Sequence, residues 1–147
     1  MTRASMGVPR GSHSPREAVT LTANETLLAS DSGKIFFLNK NSGFTVTLPA
    51  ISNAGPGWNA MFIIATVLTS GTYVLTELAS ADTNKVASEM VECEVTTGQD
   101  NPSHIGHTTL TFANATDTKG DSFNVWCDGT YYYVNGKVVA DACVVPA

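Results

Sequence analysis

The stretch Gly120-Asp-Ser-Phe-Asn-Val-Trp-Cys-Asp-Gly-Thr-Tyr-Tyr-Tyr-Val-Asn-Gly-Lys-Val-Val139 limits the fold of this chain more than any other. Asp128-Gly129 and Asn135-Gly136 each sit between runs of β-branched and aromatic residues. Both dipeptides favour the positive φ that a tight type I′ hairpin turn requires. The stretch therefore predicts a meander of three antiparallel strands joined by two turns. A two-residue loop at Asp128-Gly129 would pair Cys127 with Thr130, Trp126 with Tyr131, Val125 with Tyr132 and Phe123 with Val134. Paired residues share a face. Phe123, Val125, Tyr132 and Val134 then line one side, while Trp126, Tyr131 and Tyr133 line the other, where a solvated face would carry charge. Two arrangements would satisfy those aromatics: burial under the protein's own second sheet or loops, or an oligomer interface formed by Trp126, Tyr131 and Tyr133.

Upstream, short strands alternate with glycine turns at the spacing of an all-β protein. Val19 to Leu28 reads as one or two strands interrupted near Asn24. Lys34 to Leu38 is a strand whose Ile35, Phe36 and Phe37 leave neither face polar. Asn41-Ser-Gly43 turns the chain into Phe44-Thr-Val-Thr-Leu48, where Phe44, Val46 and Leu48 point inward. One helical turn is expected around Ala50 to Ser52, with Trp58 capping one end of the core. Met61 to Leu68 reads as a central strand that pairs with Thr72 to Leu78 through Thr69-Ser-Gly71. Ala79 to Val86 reads as loop, Glu89 to Thr96 as an alternating strand, Thr97 to His107 as a long loop and Thr108 to Phe112 as a further strand. The expected fold is an all-β, antiparallel β-sandwich or jelly-roll-like domain of about ten short strands over residues 19–147, preceded by an extended arm over residues 1–18.

A chain of 147 residues is the usual size of one domain and is long enough for one core. Hydrophobic content of 43% with 14% charge argues against disorder and favours a packed, oligomeric protein. The longest apolar run, Ala60 to Leu68, is far short of the ~20 residues of a membrane-spanning helix. The first residues hold no continuous apolar stretch of the kind a secretory signal needs, so synthesis in the cytoplasm is expected. Charge is unevenly placed. Residues 1–16 carry Arg3, Arg10 and Arg16 and no acid, whereas the remainder carries five lysines against thirteen acids. An acidic body argues against nucleic acid, whose binding depends on neutralising phosphates. A basic arm suits an acidic protein surface. Gly7, Pro9, Gly11 and Pro15 keep that arm out of any helix or core strand. Its Val8-Pro-Arg-Gly-Ser12 also resembles an engineered protease-cleavage linker, so the arm has two possible origins.

Catalytic chemistry is thinly represented. Asp100, His104 and His107 are the one cluster of ligand types close in sequence, and a loop holding them could bind a divalent metal, although exposed loop histidines are the plainer reading. The chain has three histidines, no Gly-x-Ser-x-Gly elbow and no phosphate loop, so neither an enzyme nor a cofactor is expected. Three cysteines are too few for a disulfide framework. Cys93 and Cys127 share faces with valines and read as reduced core thiols. Cys143 has no clear place.

Three stretches resemble a family of small β-rich structural proteins of tailed bacteriophages: Leu28-Ala-Ser-Asp-Ser-Gly-Lys-Ile-Phe-Phe-Leu38, Gly43-Phe-Thr-Val-Thr-Leu-Pro49 and the Gly120 to Gly136 segment. The resemblance spans roughly residues 19–140. It implies a head decoration, or cement, protein that sits on the outside of a phage head, typically as a homotrimer, and binds the major capsid protein. Related modules occur in tail fibres, which makes a receptor- or glycan-binding fibre module the alternative, with Trp58, Trp126 and the tyrosines as candidate contacts. No catalytic residues are implied. Arg3, Arg10 and Arg16 lie outside the matching motifs and are the expected capsid contacts of the arm, because guanidinium groups pair bidentately with carboxylates.

Overall fold

The computed structural model describes residues 16–77, 85–92, 103–112, 119–139 and 144–146. They form an all-β fold of twelve strands with one short helix, α1 (Ile51–Ala54), and one 3-10 turn (Ala29–Asp31). In chain order the strands are β1 (Ala18–Leu21), β2 (Glu25–Thr26), β3 (Ile35–Leu38), β4 (Gly43–Thr47), β5 (Asn59–Ile64), β6 (Thr72–Thr76), β7 (Val86–Glu92), β8 (Ser103–His107), β9 (Thr109–Phe112), β10 (Ser122–Cys127), β11 (Tyr132–Val138) and β12 (Val144–Pro146). Seven make one sheet in the order β1-β3-β5-β10-β11-β7-β8, and five make a second in the order β12-β9-β6-β4-β2.

The sheets are mixed, which corrects the antiparallel expectation. Five of the ten strand pairings, β1/β3, β3/β5, β2/β4, β4/β6 and β7/β11, are parallel. The other five are antiparallel. The cause lies in the winding. Strands β1 to β6 alternate between the two sheets, so each runs parallel to the strand two before it. A parallel pair needs a crossover, and here the crossover is a strand of the opposite sheet. Thr72–Thr76 therefore does not pair with the Met61 strand; it lies in the other sheet, between β4 and β9. β3 and β5 are flanked on both sides, in keeping with their near-continuous apolar sequences.

The coils stack closely where β4 and β6 begin. Gly43 has φ +70° and Gly71 φ +68°. A Cβ on Gly43 would lie 2.1 Å from the Thr72 carbonyl oxygen, and one on Gly71 would lie 2.1 Å from that of Ser42. The two Ser-Gly corners interlock backbone to backbone. Tyr73, 1% exposed, fastens the same corner. Its hydroxyl donates toward the Lys40 carbonyl at 2.7 Å and accepts the Lys40 N–H at 3.0 Å.

The inward positions of both sheets form one core. Phe36, Phe62 and Phe123, on the neighbouring strands β3, β5 and β10, stack with centroids 5.3 and 4.9 Å apart, and Phe112 of the second sheet stacks on Phe123 at 4.6 Å. Such pairs contribute about 0.5–1.5 kcal/mol each beyond their buried area. Trp58 caps the core as expected, 2% exposed, its indole N–H donating to the Leu28 carbonyl and its ring edge-on to Tyr132. Phe44, Val46 and Leu48 point inward, and the interruption near Asn24 separates β1 from β2.

The C-terminal meander needs correction. β10 and β11 pair, but Asn135-Gly136 lies inside β11 and makes no turn, so the stretch holds two strands where three were expected. Gly136 is required for close approach: a Cβ there would meet the Ser122 carbonyl oxygen at 2.3 Å and Phe123 Cα at 2.6 Å. The connection from Asp128 to Tyr131 is four residues long, and the register pairs Cys127 with Tyr132, Trp126 with Tyr133, Val125 with Val134 and Phe123 with Gly136. That is a slip of two residues from the expected register. Because strand side chains alternate with period two, the expected faces survive it.

The 97–107 segment, expected as loop, contributes β8, paired with β7 across a bulge between Val86 and Ala87; Gly106 has φ +86° beside it. The strand expected over 89–96 begins earlier, at Val86. Ala18, placed in the arm from sequence, opens β1.

Candidate functional site

β10 and β11 occupy the middle of the seven-stranded sheet, with β5 and β7 on either side. Their inward residues are committed to the core, so alternation sends Ser122, Asn124 and Trp126 of β10 and Tyr133, Asn135 and Lys137 of β11 to the outer face. Register then sorts the outer residues into rows. Trp126 stands opposite Tyr133, Asn124 opposite Asn135 with Glu89 of β7 beyond it, and Ser122 opposite Lys137 with Val91 beyond it. Successive rows are about 7 Å apart, two strand residues. An open groove of about 430 Å³ runs over the two polar rows, lined by Glu89, Val91, Ser122, Asn124, Asn135 and Lys137, with Gly136 in its floor. The Trp126–Tyr133 pair stands one row beyond the groove lining.

Trp126 is 41% and Tyr133 45% exposed, so burial under the protein's own second sheet does not account for them. Tyr131 is half-buried, with Lys85 Nζ 4.6 Å from its ring centroid. The Tyr131 and Tyr133 rings lie 6.4 Å apart. Asp128 holds this end of the sheet. Its Oδ1 accepts the N–H groups of Thr130 at 2.6 Å and Tyr131 at 2.7 Å, and its Oδ2 accepts the Tyr133 hydroxyl at 2.9 Å. The backbone N–H of Tyr131, then that of Thr130, and the Tyr133 hydroxyl together hold the Asp128 carboxyl below its ordinary value. Donation to Asp128 in turn raises the Tyr133 phenol. The phenol ring is thus fixed by a charge-assisted bond.

Of the arm residues, Arg16 is exposed immediately before Glu17 and β1, the outermost strand on its side of the seven-stranded sheet. Arg3 and Arg10 lie outside the described residues. Glu17 is tied to the start of β3, its carbonyl accepting the Ile35 N–H at 2.9 Å and its carboxylate 3.3 Å from Lys34 Nζ. Lys34 also pairs with Asp31 at 2.9 Å.

Two residues of the suggested metal cluster are described. His104 and His107 stand on β8, opposite Ser88 and Val86. Asp100 lies outside the described residues. Among the described residues no group of three or more His, Cys, Asp or Glu is placed to hold a metal ion. Trp58 is removed from the candidate ligand contacts by its burial. Cys127 is buried in the core, as its pattern predicts, and its sulfur accepts the Gly129 N–H at 3.3 Å, while Cys93 and Cys143 lie outside the described residues. No helix of the described residues is long and apolar enough to cross a membrane.

Sequence reasoning missed the polar half of this face. The sequence pattern puts Asn135 in a turn and does not single out Asn124 and Ser122, although their alternation with Phe123 and Val125 places them beside Trp126. That alternation was the available signal. No protein-family model, no curated protein and no solved structure matches this chain.

Proposed function

We propose that this is a non-enzymatic structural protein of a tailed-bacteriophage virion, bound to the outside of the head as a decoration protein that strengthens contacts between major capsid subunits. In this reading the two sheets are the layers of a β-sandwich, and three copies act together as a homotrimer at one lattice position. The family resemblance of Leu28–Leu38, Gly43–Pro49 and Gly120–Gly136 supports it. The observation that carries it is the placement of the arm's root. Arg16 is exposed beside β1, the end strand of the seven-stranded sheet among the described residues, so the segment that carries Arg3 and Arg10 joins the body at an edge.

Sixteen extended residues reach on the order of 50 Å, far enough to lie on a neighbouring subunit. Exposed ion pairs contribute only about 0.2–1 kcal/mol each, so one arm holds weakly. Three arms on one lattice add through effective concentration, and a partner that binds only the assembled shell stabilises it by mass action. Attachment through exposed charges weakens as salt rises. Deleting residues 1–16 tests the reading. The truncated protein should fold normally, yet occupy fewer sites on heads and give heads that rupture at lower temperature, with the deficit relative to full-length protein greatest at low salt. Equal decoration by both proteins at low and moderate salt counts against the arm as the attachment device.

A further inference from the structure

We propose that the groove on the outer face of the seven-stranded sheet binds a neutral oligosaccharide, with Trp126 and Tyr133 as the stacking platform at one end and Asn124 and Asn135 as the central hydrogen-bonding pair. This is a second activity and does not depend on attachment to a head. A sugar ring presents two kinds of surface: a C–H face that packs on an aromatic ring, and a rim of hydroxyls that each donate and accept. The sheet offers both in register. Trp126 and Tyr133 form one cross-strand row, and Asn124 and Asn135 form the next. A carboxamide carries an acceptor and two donors, so facing amides can bond adjacent hydroxyls from both sides.

Three further observations favour this occupant. First, the side chains of Glu89, Ser122, Asn124, Asn135 and Lys137 make no hydrogen bond or ion pair among the described residues, so their polar groups stand ready for a ligand. Second, the described lining of the groove carries one carboxylate and one ammonium, Glu89 and Lys137, whose charges cancel. That balance suits an uncharged ligand and offers no surplus for a phosphate or an acidic glycan. Third, the backbone under the platform and its Tyr133 ring are held in place. β10 and β11 are hydrogen-bonded on both sides, and Asp128 fixes the Tyr133 ring, so little ordering cost falls on binding. A volume of about 430 Å³ lies within the usual range of small-ligand clefts, about 300–1,000 Å³. A second copy of the chain fits the same surface less well, because protein interfaces are depleted of charged residues at their centre and here Glu89 and Lys137 flank the central amides.

The test is titration of the full-length protein with cellohexaose, maltohexaose and chitohexaose, read by NMR at the Asn124 and Asn135 side-chain amides and the Trp126 indole N–H. At least one probe should give saturable shifts at these three groups. Asn124→Ala and Trp126→Ala should each weaken that binding about tenfold, the equivalent of about 1.4 kcal/mol. Both residues are on the outer face, and Asn135→Ala gives a further variant if either fails to fold. The proposal is overturned if none of the three sugars moves these signals, if the shifts map elsewhere, or if the variants bind as tightly as the parent. It is also overturned if the same signals broaden with protein concentration and Trp126→Asp yields a smaller species by sedimentation, since a second copy would then occupy the face.

Discussion

Replacing Gly43 with alanine puts a methyl group where two coils of the chain touch. The new Cβ would sit 2.1 Å from the Thr72 carbonyl oxygen, on a backbone with φ +70°. The dihedral alone costs an L residue about 1–2 kcal/mol. Forcing the two backbones apart adds about 1–3 kcal/mol, the usual price of overpacking. Gly33 separates the two contributions: its φ is +85°, yet nothing lies within 4 Å of its Cβ position. Gly33→Ala should therefore lose only about 1–2 kcal/mol, against about 2–5 kcal/mol for Gly43→Ala. Total stabilities of domains are about 5–15 kcal/mol, so the second loss is large. At about 2–4 °C per kcal/mol for a chain of this size, Gly43→Ala should lower Tm by on the order of 10 °C and Gly33→Ala by a few degrees. Thermal and urea unfolding followed by circular dichroism give both values. Gly71→Ala should behave like Gly43→Ala, and the double variant should cost less than the sum, because both open the same contact. Equal losses for Gly33→Ala and Gly43→Ala would refute the interlocked corners and, with them, the parallel pairing of β4 with β6.

Other consequences follow from the buried tyrosine and the Asp128 turn. Tyr73→Phe removes the hydroxyl that serves both the N–H and the carbonyl of Lys40, and should cost about 1–3 kcal/mol in urea unfolding with an unchanged m value; no loss would show those groups to be satisfied by water. Asp128 has a folded-state pKa below its ordinary value, so its contribution to the turn is complete above the ordinary value and is lost as pH falls through the lowered one. The Thr130 and Tyr131 amide signals and the Tyr133 ring signals should move together in that acid window, and titration at or above the ordinary Asp value would contradict the three bonds.

Which side chains face inward was legible in the sequence because it depends only on alternation. The β10–β11 register that the turn signal predicts differs by two residues from the observed one, yet Trp126 and Tyr133 share the expected face, since an even slip preserves faces. Strand direction and sheet membership were not legible. Phe44-Thr-Val-Thr-Leu48 alternates identically whether its neighbour runs parallel or antiparallel, and the glycine turns around Asn41-Ser-Gly43 and Thr69-Ser-Gly71 read as hairpins although they carry the chain from one sheet to the other. Asn135-Gly136 shows the same limit from the other side: a dipeptide with strong turn chemistry was placed in mid-strand because Phe123 needs the space beside Gly136. At the candidate site, the aromatics announced themselves by being unexpected on a solvated face. The amides beside them looked like ordinary exposed polar residues until register brought Asn124 and Asn135 together.

The most direct test of the decoration reading is co-sedimentation of the purified protein with isolated phage heads, set against co-sedimentation with bacterial host cells. The account predicts saturable binding to heads, at a fixed number of copies per shell and decreasing with salt. Binding to cells with none to heads would contradict it and would place the protein in a receptor-binding structure instead.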